Sequence, residues 1–177
     1  MAASQYYSFT RLRTSGRATL GGRESVVAGE SWMDHEFSTS LLEEGQVGWD
    51  WFSIQLDNNT ELMLYQMRLS DGSIGPYSSG TYIAENGDLT NLSVSDFHMQ
   101  PTATWQSERT SAEYPVHWRI EIPRLDMVLR IEPAFEQQEM VTEATTGISY
   151  WEGSISVDGV DIREFSLRGL RSSLGIV

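Results

Sequence analysis

Two short runs concentrate the residues able to do chemistry. Ser31-Trp32-Met33-Asp34-His35-Glu36-Phe37 and Gly48-Trp49-Asp50-Trp51-Phe52 together carry three tryptophans, three carboxylates and one histidine. An indole N–H or a carboxylate is costly to bury without a partner, so this crowding points to a polar cluster set in an aromatic wall. The chemistry on offer is proton transfer. Asp34 is placed to orient the imidazole of His35, and Glu36 can serve as an acid if an apolar wall raises its pKa. The faces of the tryptophan rings can stabilise a cationic intermediate through their quadrupoles. The structural alternative is an Asp-His-Glu run at a strand end that supplies turn-making hydrogen bonds and plugs one mouth of a barrel.

Other chemistries find less support. Tyr150-Trp151-Glu152-Gly153 is a second aromatic–acid cluster, equally readable as a core aromatic followed by a strand-end charge. Asp34, His35 and Glu36 are consecutive, so on a strand His35 points away from both neighbours; His98 and His117 are isolated. No spacing implies convergent metal ligands, and no metal is expected. The chain has no cysteine, which removes disulfides, thiolate zinc sites and Cys nucleophiles together. A G-x-S-x-G elbow and a phosphate-binding glycine loop are both absent; Gly21-Gly22 is a turn dipeptide. No cofactor is expected.

The elements that must position these residues read as strands. Ten segments carry the signal: Tyr6–Arg13, Ser25–Trp32, Val47–Leu56, Glu61–Leu69, Pro76–Ala84, Asp88–Gln100, His117–Ile122, Val128–Phe135, Ile148–Val157 and Ile162–Leu170. Gly21-Gly22, Asp57-Asn58-Asn59, Asp71-Gly72 and Asn86-Gly87 mark turns between them. Phe135–Glu143 is the one weakly helical stretch, after Pro133 and with poor apolar spacing. Trp49–Leu56 and Leu62–Met67 are apolar on both faces, unlike a sheet wet on one side. The spacing suits an all-β barrel or sandwich of about ten strands with little helix, residues 1–177 forming one domain, and strands apolar on both faces fit an antiparallel barrel packed against a second domain.

The charge balance narrows the partners. Twelve basic residues stand against 25 acidic ones, a formal net charge of −13, which repels phosphate backbones and anionic membranes. No nucleic acid is expected as a partner. No apolar run reaches the length of a transmembrane segment, and Met1-Ala2-Ala3-Ser4-Gln5 lacks a signal-peptide pattern, so the chain is read as cytoplasmic or as part of a longer precursor.

Several runs resemble the AttH-like, carotenoid 1,2-hydratase-related lipocalin-like family. They are Tyr6–Leu12, Gly29–Phe37, Gly45–Phe52, Glu61–Gln66, Tyr114–Trp118 and Gly147–Gly153, spread over roughly residues 6–157. The resemblance implies a lipocalin-like (calycin) barrel, the C-terminal one of two side by side. It also implies a secreted or periplasmic parent of the predicted secreted hydrolase group. The hydratase branch of the family pairs a His with a Trp two residues on, and a Tyr with an Asp two residues on; here those positions hold His35, Phe37, Tyr65 and Met67. Carotenoid hydration itself is therefore not carried over. The family's Gly-Tyr-x-Glu-x-x-Gly-Tyr ending is also missing after Ile162–Leu170.

Residues and resemblance together give the expectation of a barrel that binds an apolar or polyene-like small molecule, with hydratase (lyase) or hydrolase activity. The alternatives are a non-catalytic lipid carrier and a cyclase that acts by holding its substrate folded. The candidate catalytic residues are His35, Asp34, Glu36 and Tyr65. The candidate ligand-binding residues are Trp32, Phe37, Trp49, Trp51, Gln66, Tyr150 and Trp151. A second barrel or a homodimer contact is the expected protein partner.

Overall fold

Gly21 and Gly22 fold the first forty residues back on themselves. Their φ angles of 56° and 77° are the left-handed pair that a two-residue hairpin turn needs, and glycine adopts them without steric cost. The turn joins β1 (Ser4–Leu20) to β2 (Arg23–Ser38), an antiparallel ribbon longer at both ends than the sequence suggests. In one place the register slips: Phe9 pairs with Met33 but Leu12 with Ser31, so Thr10 and Arg11 share the single Trp32 opposite them. This is a β-bulge. The computed structural model describes residues 4–38, 42–142, 148–161 and 165–176. The chain divides into two compact units, Met1–Glu43, which contains this hairpin, and Glu44–Val177.

The second unit is a ten-stranded antiparallel sheet. Its strands are β3 (Gln46–Leu56), β4 (Glu61–Leu69), β5 (Ser79–Ile83), β6 (Leu89–Ser93), β7 (His98–Gln106), β8 (Glu113–Ile122), β9 (Met127–Pro133), β10 (Glu139–Val141), β11 (Ser149–Asp161) and β12 (Phe165–Ile176). They lie in the order β6-β5-β4-β3-β12-β11-β9-β8-β7, with β10 added on β11. Taken in a ring this is an up-and-down meander: its first strand β3 pairs with its last strand β12, and the ladder parts between β6 and β7.

Alternation within the strands fills the interior. Phe52, Ile54 and Leu56 of β3 stand beside Leu64 and Leu62 of β4, and all five are fully buried. They form one cluster with Leu92 of β6, Met99 of β7, Trp118 and Ile120 of β8, Leu129 of β9 and Trp151 of β11. Strands from both ends of the ladder meet in that cluster, so the sheet rolls around a shared core. The ring of Phe52 meets Trp118 edge-on at a centroid distance of 5.5 Å.

The strand expectations hold best where turns are sharply signalled. β4 has the expected bounds and β3 begins one residue early. The single strand expected over Asp88–Gln100 is two, β6 and β7. Asp96 breaks it: its carboxylate accepts from the backbone N–H and the hydroxyl of Ser93, at 2.8 and 2.6 Å, closing a turn. The weakly helical stretch after Pro133 is bends followed by β10, and its last residue, Glu143, lies outside the described residues. Among the described residues the only helical element is a 3-10 turn, Pro123–Leu125. β12 begins at Phe165, and the start of the expected Ile162–Leu170 strand, residues 162–164, lies outside the described residues.

Candidate functional site

On the hairpin, the register sorts the Trp-Met-Asp-His-Glu-Phe run onto two faces. Tyr6 pairs with Glu36 and Tyr7 with His35. Side chains alternate along a strand, so Trp32, Asp34 and Glu36 share a face with Tyr6, and Met33, His35 and Phe37 share the other with Tyr7.

On the first face Asp34 is an anchor. One of its oxygens, Oδ1, accepts both the Tyr6 hydroxyl and, at 2.7 Å, the indole N–H of Trp32. Glu36 is exposed beside it. On the second face the Tyr7 hydroxyl lies 2.8 Å from Nδ1 of His35. The Phe37 ring is tilted against the imidazole at 4.2 Å, and Phe9 meets Tyr7 edge-on at 6.1 Å. Tyr7, Phe9 and Phe37 are all exposed, so the imidazole sits in an open aromatic stripe. The pairing of Asp34 with His35 expected from their adjacency is not made; Tyr7 takes the place of the orienting group. A hydrogen bond at Nδ1 fixes the ring and leaves Nε2 to give or take a proton. An ion pair, Arg11 with Glu30 at 2.6 Å, ties the ribbon together at the bulge.

In the sheet unit, Asp50 faces the interior with Phe52 and Ile54, whereas Trp49 and Trp51 are on the outward face, half-buried. Trp49 pairs with Met67 and Trp51 with Tyr65, so Tyr65 belongs to the same outward aromatic patch; its hydroxyl donates to the Tyr77 carbonyl at 2.7 Å. Gln66 is directly opposite Asp50 and donates to its Oδ2 at 2.9 Å, and Arg68 Nε stands 3.5 Å from Oδ1. Burial dominates at Asp50 and pushes its carboxyl above the usual range, against the charge of Arg68 and the hydrogen bond from Gln66. Trp151 is fully buried in the core and donates its indole N–H to the Glu136 carbonyl at 2.6 Å; Tyr150, half-buried, pairs with Met140.

The structure thus gathers the candidates into three groups. Tyr6, Trp32, Asp34 and Glu36 form one, Tyr7, His35 and Phe37 another, and Trp49, Trp51 and Tyr65 the third, while Trp151 belongs to the core and Gln66 to a buried polar pair. Tyr6 and Tyr7 were visible as strand residues but not as site residues, because only cross-strand register assigns them their partners. Asp50 was visible as a carboxylate, but nothing in the sequence says which face of β3 is inward. Among the described residues no group of three His, Cys, Asp or Glu side chains could hold a metal ion, and no helix is long and apolar enough to cross a membrane.

Comparison with known proteins agrees with this architecture. A candidate AttH from Nitrosomonas europaea, known from its crystal structure, superposes with a TM-score of 0.84 at 30% identity, over 98% of this chain and 52% of that one. Kievitone hydratase from Nectria haematococca superposes with a TM-score of 0.76 at 17% identity, again over 98% of this chain and 52% of that one. The second likeness is one of fold, the lipocalin-like antiparallel barrel. The chain therefore spans about half the length of these solved relatives. No curated protein matches it. The sequence profile described as AttH-like matches residues 1–169, and the chain belongs to the AttH-like family.

Proposed function

We propose that this chain is the part of a lipocalin-like protein that binds an apolar, unsaturated small molecule and adds water to it. The observation that carries the reading is the Tyr7–His35 hydrogen bond of 2.8 Å within an exposed aromatic stripe. A hydration needs one proton placed on an alkene carbon and one removed from the attacking water. A single imidazole can do both. The imidazolium gives its Nε2 proton to carbon, and the neutral ring then takes a proton from the water whose oxygen bonds to the other carbon, which restores the starting state. Aromatic faces such as Phe9 and Phe37 stabilise the intervening cation through their quadrupoles. Tyr7 is then a positioning residue that holds Nδ1. The hydratase named among the structural neighbours agrees in kind with this chemistry. Hydrolysis of an apolar ester is served by the same imidazole acting as general base.

A second reading, a carrier without turnover, is favoured by one observation. Asp34 and Glu36 lie on the hairpin face opposite His35, so no carboxylate of the run supports the imidazole. The two readings separate on incubation of the protein with kievitone and a panel of unsaturated lipids, product being detected as the mass gain of one water. Water addition that His35→Ala lowers by about 10²–10⁴-fold with unchanged ligand affinity supports the hydratase. Binding without any water addition in the unaltered protein supports the carrier. The Trp49–Trp51–Tyr65 patch, on the outward face of β3 and β4, is the proposed ligand wall of the sheet unit. A second barrel or a second copy of the chain is the proposed protein partner.

A further inference from the structure

The segment 134–142, between β9 and β11, differs from the rest of the sheet unit in what holds it. Phe135 and Met140 are exposed at 61% and 44%, and no side chain of the segment belongs to the buried core. Among the described residues its only ladder is the three-residue pairing of β10 with β11. Polar bonds do the rest, and they converge on Glu139. Ser107 donates its hydroxyl to Oε2 at 2.6 Å, and Thr110 and Tyr114 both donate to Oε1, Tyr114 at 2.9 Å. Burial opposes the charge of Glu139, but these three hydroxyls and the nearby Arg109 outweigh it and keep the carboxyl below its ordinary range.

Two of the side chains that reach this segment come from the core. Tyr114 and Trp151 are both buried members of the core cluster, and each turns its polar tip to the segment, Tyr114 to Glu139 and Trp151 to the Glu136 carbonyl. The segment therefore covers the end of the interior where those two aromatics lie. Gln138 seats it further. Its side-chain amide donates to the carbonyls of Phe135 and Ser154, at 2.7 and 3.1 Å, and accepts from the Ser154 N–H at 2.9 Å. Gly153 makes that seat possible, since a Cβ there would lie 2.3 Å from the amide carbon. A cover with little apolar burial and a few strong polar ties can open while the ladders beneath stay intact.

We propose that residues 134–142 are a lid over the Tyr114–Trp151 end of the interior, latched by Glu139, and that it opens as a unit while the ladders beneath it stay closed. The latch is charge-assisted, so it holds while Glu139 is ionised and loosens when that carboxylate takes up a proton. The other ionisable groups on the elements packed against it are Glu108 and Arg109 in the 107–112 loop, Glu113, Tyr114, His117, Arg119 and Glu121 on β8, Tyr150, Glu152, Asp158 and Asp161 on β11, and Glu136 in the lid itself. His117 and Glu136 stand 3.7 Å apart as a second, weaker tie. The proposal goes beyond the hydration reading and does not depend on it.

Hydrogen–deuterium exchange followed by peptide mass spectrometry on the whole chain tests the lid. In Glu139→Gln, peptides covering 134–142 exchange at least ~10-fold faster than in the unaltered protein, while β8 and β9 peptides keep their protection. After correction for the intrinsic pH dependence of exchange, the unaltered protein loosens in the same peptides when pH is lowered below the ordinary Glu range, and Glu139→Gln changes far less. Thr110→Val, which deletes one donor and leaves the carboxylate, gives a smaller acceleration in the same peptides and keeps the question open to test if Glu139→Gln does not fold. Unchanged lid exchange in the variants overturns the proposal, as does lid opening that occurs only together with exchange of β8 and β9.

Discussion

Gln66 and Asp50 are paired twice, once as directly opposed residues of β4 and β3 and once through the 2.9 Å bond from the Gln66 amide to Asp50 Oδ2. That contact places a carboxylate among the buried apolar side chains of β3, with Arg68 at 3.5 Å. Desolvation raises its pKa in the folded state. A raised acid pKa gives stability that is complete below the unfolded value and is lost as pH climbs through the folded one. Asp50→Asn keeps the shape without the ionisation. Relative to the unaltered protein the variant therefore improves as pH rises from 4 to 7, read as the difference in urea midpoint at the two pH values. A constant difference would show that folding leaves the Asp50 carboxyl unshifted.

The Tyr7–His35 contact is on an exposed face, so on the proposed hydration reading its loss weighs on water addition more than on folding. Tyr7→Phe costs at most about 1 kcal/mol of stability, the net worth of an ordinary hydrogen bond. On the hydration reading, water addition falls by about tenfold, because the imidazole loses the partner that holds Nδ1. Thermal melts beside rate measurements check both halves.

Gly153 and Gln138 form a coupled pair. Gly153→Ala drives a methyl group into the Gln138 amide and costs about 1–3 kcal/mol, the usual range for overpacking a tight site. In the background of Gln138→Ala the same change costs much less. Chemical denaturation of the two single variants and the double variant gives the coupling directly.

Phe52 is fully buried and meets Trp118 edge-on. Phe52→Ala removes that contact from the centre of the rolled sheet and lowers stability by about 3–5 kcal/mol. The surface change Val47→Ala, at a residue 54% exposed on the same strand, stays within about 0.5 kcal/mol. Denaturant midpoints followed by tryptophan fluorescence compare the two.

How far the sequence could be read depends on the kind of signal. Asp57-Asn58-Asn59 delimits β3 and β4 to within a residue, because polar turn residues interrupt apolar strands on both sides. The break between β6 and β7 is not legible in the sequence, because Ser93 and Asp96 form a turn without Gly or Pro. The sites were harder. Alternation says that His35 faces away from Asp34 and Glu36, yet only pairing with β1 shows that Tyr7 and Tyr6 fill the gaps. On β3 both faces contain large apolar groups, so composition could not tell that Asp50, rather than Trp49 and Trp51, looks inward. Glu139, in a stretch with no clean periodicity, draws its three hydroxyl partners from a loop and a strand some 25 to 32 positions away.

The pairing of β3 with β12 also constrains how the protein is made. A growing polypeptide can lay down successive hairpins as they leave the ribosome, but the seam between the unit's earliest and latest strands must wait for synthesis to reach Ile176. Until then β3 and β11 each present a bare edge, and bare edges invite neighbours. The slowest and most aggregation-prone moment of biogenesis is therefore expected just before this seam closes, and a chain rearranged to start within the β6–β7 turn would be spared the wait.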